Sequence, residues 1–322
     1  MTEKTTPYLR RYEHLQEKPA VSDKIYDQWL KHHSETPITG VRFPGHLPKI
    51  AFLDRDSGVR LAGNKIKNHW PVIVDYFTTY GTAFLPDIRQ QIAITRRETL
   101  PLAPVSLVAT YDFAIQFLDY QRLHPNLHQP VRKGALKILE NLSFVRFPLH
   151  PKKAGLIHPS AVSPGREVQF FFVPDNDPLM SYLRIKYGIQ YIAVRSSNIT
   201  GEPEESFAEG SLIYAAKIGA PVLAIRSRKA YLNQNKRLRL FSQPIFRLPL
   251  NNENPVIKLT RSGSTHPDAM PHLLEDFAGF AEVIHEEEKI SSWRTGYNPL
   301  PKLGKNHRPQ DIRQALLKAS GL

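Results

Sequence analysis

The chain has 322 residues, 41% of them hydrophobic, enough to bury a full core as one large domain or one domain with extensions. It contains no cysteine, which excludes disulfides, thiolate chemistry and cysteine-ligated zinc. A formal net charge of +13 favours polyanionic partners (RNA, nucleotide or an acidic surface) and a steep salt dependence in any such binding.

Residues 1–39 form a polar, charged lead with one expected helix at 22–33, capped by Ser22. This start has no apolar signal core, and no stretch approaches the roughly 20 apolar residues of a membrane span. A cytoplasmic protein without a membrane partner is therefore expected. Residues 49–53 read as a short strand and Gly58 as a turn. Residues 71–77 (PVIVDYF) read as a buried strand, rich in β-branched and aromatic side chains, ending in Thr78-Thr79-Tyr80-Gly81-Thr82. A helix is expected at 87–93, a strand at 101–109, a helix at 112–120, a loop at 123–130 and a basic amphipathic helix at 131–142. Strands follow at 144–147 and 168–173, across a loop rich in Pro, Gly and His.

A helical stretch then runs to Tyr187, and Gly188 leads into an apolar strand at 189–194. Beyond it lie a helix at 206–218, strands at 221–227 and 255–260, and a mostly helical 268–287. Residues 286–322 form a basic, Pro- and Lys-rich tail with a short helix at 311–318. Strands and helices intermix without strict alternation, which predicts an α+β fold, a mixed sheet flanked by helices.

The most informative stretch is Arg195-Ser196-Ser197-Asn198-Ile199-Thr200-Gly201-Glu202-Pro203. An apolar strand that ends in small hydroxyl and amide residues, then Gly, builds a polar pocket at the strand's carboxyl edge. Ser and Asn supply short donors and acceptors there, and Gly admits a ligand close to the backbone. An ordinary strand-to-helix turn accounts for the same residues. Basic residues cluster at Arg226, Arg228 and Lys229, at Lys236, Arg237 and Arg239, and at Lys302, Lys305 and Arg308. Tyr231, Phe241 and Phe246 interleave with the middle group, so a base could stack beside a phosphate contact; a solvated basic face has the same pattern. His124 and His128 have i,i+4 spacing without a nearby acid, and no metal site is expected.

The segment 196–203 resembles the Ser-Ala-Asn-x-Ser-Gly-Glu-Pro signature of the YrdC-like family, the threonylcarbamoyl-AMP synthases, with Ser197 for Ala and Thr200 for Ser. Upstream, Val173-Pro174-Asp175-Asn176-Asp177-Pro178-Leu179 is similar to the family's lead-in, with Phe172 where that pattern has Arg. Tyr76 to Thr82 resembles its T-x-T-x-Y-G-L motif through Thr78, Tyr80 and Gly81. Ile94 to Leu102 resembles K-x-R with a following Pro-Leu pair, Arg96 standing for the Arg and Ile94 for the Lys, with Arg97 adjacent. Arg261 before Ser262-Gly263 resembles the closing [IV]-x-R-x-G.

The resemblance covers residues 40–285 and implies a three-layer YrdC-like fold, a twisted mixed sheet around a basic cavity. It implies that active members condense L-threonine, bicarbonate and ATP, with Mg²⁺ on the phosphates, into threonylcarbamoyl-AMP for tRNA threonylcarbamoyladenosine. By the family's pattern Thr78 and Tyr80 line the threonine pocket, while Arg96, Ser196, Asn198 and Arg261 serve the nucleotide. Lys236, Arg237 and Arg239 are candidates for tRNA or double-stranded RNA. Two functions stay open: a synthase, or a catalytically reduced module that binds double-stranded RNA. Thr78, Ser196 and Asn198 are expected at one end of one sheet, and the loss of two motif cations at Ile94 and Phe172 predicts a less positive pocket.

Overall fold

The computed structural model describes residues 48–76, 79–86, 105–158, 161–163, 165–197, 208–232, 243–261 and 274–285. The helices expected at 22–33, 87–93 and 311–318, and the segment boundaries at 40 and 286, lie outside these residues.

Among the described residues, eleven strands form one mixed, open sheet: β1 (Lys49–Phe52), β2 (Val72–Asp75), β3 (Tyr80–Phe84), β4 (Ser106–Thr110), β5 (Phe144–Pro148), β6 (Glu167–Val173), β7 (Ile192–Ser196), β8 (Val222–Ile225), β9 (Ile245–Arg247), β10 (Val256–Arg261) and β11 (Glu282–His285). Their spatial order is β1-β8-β2-β3-β7-β4-β6-β5-β9-β10-β11. The helices among the described residues are α1 (Asp56–Lys67), α2 (Tyr111–Ala114), α3 (His128–Arg132), α4 (Pro178–Tyr187), α5 (Ala208–Ile218) and α6 (Arg228–Leu232). The expected mixed sheet with flanking helices is what the chain builds.

The period-2 alternation of each strand sends neighbouring residues to opposite faces. Val72 and Val74 of β2 meet α1 (Val59, Ala62, Ile66) and α4 (Leu179, Met180, Leu183) on one face. Ile73 meets α5 (Leu212, Ala215, Ile218) on the other. In the far half, Phe170 and Phe172 of β6 join Phe147, Phe246, Leu136 and Leu139 in a third cluster. Helix α4 begins at an Asp177 cap whose carboxylate accepts from the Met180 N–H at 3.0 Å, with Pro178 at the first helical position. It ends at Tyr187, where the sequence places its end, and Gly188 follows in the left-handed region at φ 69°.

Several expectations are corrected. Gly58 is not a turn; it lies in the first turn of α1, where a Cβ would stand 2.1 Å from the Phe52 carbonyl oxygen, so only glycine fits. The helix expected at 112–120 is α2 and one 3₁₀ turn, Ile115–Phe117. The helix expected at 131–142 breaks at Gly134, left-handed at φ 85°, which separates α3 from a 3₁₀ segment, Ala135–Leu139. The mostly helical reading of 268–287 gives way to a 3₁₀ turn, Glu275–Phe277, and then β11, parallel to β10. There the open edge of β10 outweighs local helix preference. Tyr80, Gly81 and Thr82, read as the end of the preceding strand, belong to a separate strand, β3, paired antiparallel with β2 and β7.

Candidate functional site

Strand β7 runs antiparallel between β3 and β4, with Gly81 opposite Ser196 and Ser106 opposite Val194. Where these strands end, a cavity of about 280 Å³ opens. Tyr76, Thr79, Tyr80 and Gly81 line it from the β2–β3 connection, and Val194, Arg195 and Ser196 from β7. Val105, Ser106, Phe144 and Gln169 form a second wall, and Gln243 and Arg261 a third. The described lining holds two arginines and no carboxylate.

Local geometry explains the shape. Tyr76 N–H donates to the Thr79 carbonyl at 2.9 Å, closing the turn between β2 and β3. The Tyr76 ring packs edge-on against Phe171 with centroids 5.4 Å apart. Gly81 is required beside it, because a Cβ there would come within 2.7 Å of a Val194 methyl and 2.9 Å of the Tyr76 ring. Arg261 Nε donates to the Gln243 carbonyl at 2.9 Å, and Gln243 Nε2 donates to the Tyr76 carbonyl at 2.9 Å. This polar chain ties the end of β10 to the end of β2. Burial pushes the Tyr76 hydroxyl well above its usual value, with Asp177 adding to the shift and Arg226 opposing it. The phenol is therefore a neutral group at physiological pH, and among the described residues its oxygen has no hydrogen-bond partner.

Of the residues expected at a site, Tyr80, Ser196 and Arg261 are brought together on this one cavity. Thr78, Arg96, Asn198 and the RNA candidates Lys236, Arg237 and Arg239 lie outside the described residues, as does Ile94. Ser197, which stands where the signature has Ala, is fully buried, its hydroxyl 3.1 Å from that of Thr82. Its extra oxygen is thus satisfied inside the protein. Phe172 does not replace a cavity cation. Gln169 and Phe171 face one side of β6 and Phe172 the other, where it is fully buried with its ring 5.3 Å from that of Tyr111. Its substitution leaves the cavity's charge unchanged.

The sequence reading gave no role to Arg195, Ser106, Gln169 or Gln243. Arg195 directly precedes the signature and was legible there as a cation at a strand end. The others reach the cavity only through pairing of distant strands. His124 and His128 serve locally: His124 Nδ1 accepts from the Asn126 N–H at 3.3 Å, and His128 Nε2 lies 3.1 Å from the Leu123 carbonyl oxygen. Among the described residues no helix is long and apolar enough to cross a membrane.

No protein-family model and no curated protein matches the sequence. Solved structures do match. A hypothetical protein of Streptococcus mutans UA159 superimposes with a TM-score of 0.52 at 13% identity, over 75% of this chain and 100% of that one. A doubly substituted P. abyssi Sua5 superimposes with a TM-score of 0.50 at 15% identity, over 74% of this chain and 66% of that one. P. abyssi Sua5 complexed with L-threonine gives 0.49 at 16% identity, over 71% and 60%. The chain thus spans just under two thirds of the Sua5 length. At such identities the first two likenesses establish a shared fold and nothing finer.

Proposed function

We propose that this chain, built on the Sua5/YrdC-like fold, is a divergent YrdC-like protein that binds a nucleotide and a small amino acid in the cavity at the ends of β3 and β7. The observation that carries this reading is the convergence of Arg195, Ser196, Arg261 and Tyr80 on one cavity whose described lining has no carboxylate. Phosphate and carboxylate oxygens are the ligand groups such a lining favours, since guanidinium groups match both in charge and in fork geometry.

The reaction proposed is synthesis of threonylcarbamoyl-AMP from L-threonine, bicarbonate and ATP, with release of pyrophosphate and water. None of its steps needs a protein nucleophile. The chain's contribution is to hold the reactants together and to offset charge on the transferred groups. Arg195 and Arg261 would bear on the phosphates or the carboxylate, and Ser196 would orient them. With no carboxylate in the described lining, Mg²⁺ enters as part of the nucleotide substrate.

The test is pyrophosphate release by the full chain supplied with Mg-ATP, bicarbonate and L-threonine. Release that requires all three supports the reading, and loss of that release in Arg261→Ala ties it to the cavity. Absence of release, together with salt-sensitive binding of double-stranded RNA, would replace it with the catalytically reduced RNA-binding module.

A further inference from the structure

Three side chains run in a line toward the cavity on one face of the sheet. Arg146 of β5 donates to Gln169 Oε1 from both Nε, at 3.3 Å, and Nη2, at 3.0 Å. Gln169 of β6 in turn donates from Nε2 to Ser106 Oγ at 2.7 Å. The strands place them side by side, with Gln169 opposite Arg146 in the β5–β6 register.

An amide can ordinarily be turned either way, but here its orientation is decided by its neighbour. A guanidinium has donors only, so the Gln169 oxygen must face Arg146 and the Gln169 NH₂ must face Ser106. Ser106 Oγ therefore receives a hydrogen bond, and its own O–H proton has to be given elsewhere. Among the described residues Ser106 makes no other side-chain hydrogen bond, and it lines the cavity.

We infer that Ser106 is a specificity-determining residue, a hydroxyl held by Gln169 and Arg146 as a donor toward an anionic oxygen of the ligand. The inference rests on the anion-binding reading of the cavity and deepens it. A hydroxyl held this way favours a carboxylate or phosphate oxygen over an ammonium or N–H group, because Gln169 already occupies one of its two lone pairs and only the other is left to accept. Arg146 does not reach the ligand in this scheme; it is a positioning residue acting through the amide.

The test uses calorimetric titration of the full chain with two probes, inorganic pyrophosphate and L-threonine, which separate a phosphate from a carboxylate source. Ser106→Ala should weaken one probe about 10- to 100-fold and leave the other unchanged, the expected loss of one hydrogen bond to a charged group. Ser106→Thr, which keeps the hydroxyl, should retain binding. Gln169→Glu turns the neighbour into an acceptor, so Ser106 should donate to it and be withdrawn from the ligand. In that background Ser106→Ala should change affinity less than about twofold, and this comparison cancels the added charge.

If the wild type binds a probe and Ser106→Ala binds both probes as well, the inference is wrong while the cavity reading stands. An equal effect of Ser106→Ala in both backgrounds overturns the directional argument. If the wild type binds neither probe, the cavity reading itself fails and takes the ligand class with it. The direction of the hydroxyl is decided separately by neutron diffraction from ligand-free crystals. A deuteron pointing into the cavity supports the relay, and one pointing at Gln169 overturns it.

Discussion

Arg226 and Arg146 are both partly buried arginines near the same sheet, and their surroundings assign them opposite work. Arg226 lies 3.2 Å from the Asp177 carboxylate and donates to Asn141 Oδ1 at 3.3 Å, its side chain 13% exposed and that of Asp177 6%. The charge is matched inside the protein. Arg146 instead meets a neutral amide, which passes to a serine at the wall of a cavity whose described lining holds two more arginines and no acid. A cation balanced by a carboxylate holds the fold. Cations around a cavity whose described lining has no acid are what the proposed binding of an outside anion rests on.

The largest effect should come from breaking the matched pair. Asp177→Ala removes both the partner of Arg226 and the cap of α4, and should cost about 3–5 kcal/mol, read as a lowered urea midpoint. A loss below about 1 kcal/mol would mean that solvent already screens the pair. On the other side of the comparison, Arg195→Ala and Arg261→Ala should each cost less stability than Asp177→Ala, Arg261→Ala losing its hydrogen bond to the Gln243 carbonyl. Each should weaken Mg-ATP binding by about 1.5–3 kcal/mol, roughly 10- to 100-fold in Kd. Equal affinity in wild type and both variants would remove the cavity from consideration as the nucleotide site.

Gly81→Ala bridges the two regions, since its Cβ would press on Val194 and Tyr76. It should cost about 1–3 kcal/mol and also weaken ligand binding, because both neighbours line the cavity. Full stability with full binding would show that Tyr76 can withdraw without consequence.

The smallest effect concerns a second matched cluster. Arg247 donates to Glu167 at 2.8 Å and to Glu253 at 3.0 Å. Burial pushes the Glu253 carboxyl up, but the Leu250 N–H and Arg247 outweigh it and hold it below its ordinary 4.5. A carboxyl lowered by folding stabilises above its ordinary value, and that stability is lost as pH falls through the lowered one. Glu253 is 30% exposed, so the contribution should be at most about 1 kcal/mol. The stability gap between wild type and Glu253→Gln should be open at about pH 6 and should narrow as pH falls below the carboxyl's ordinary 4.5. A gap that does not change with pH would contradict the assignment.

What could be read along the chain was whatever local chemistry dictates. The apolar run of β6, the Asp177-Pro178 start of α4 and its Gly188 stop announce themselves within a few residues. The signature after β7 placed Ser196 at a strand end beside a polar space, and Tyr80 and Arg261 did join it. The three residues of β9 and the four of β11 had no such signal, because each becomes a strand only by completing a neighbour's ladder. Pattern matching along the chain also misread Phe172, since a side chain's face depends on strand phase and on what covers that face. Ser106 and Gln169 lie 63 positions apart in sequence, and Gln169 and Arg146 lie 23 apart. Only strand pairing brings them into one line, and only the donor-rich guanidinium at its far end sets which way the hydroxyl at its near end can point.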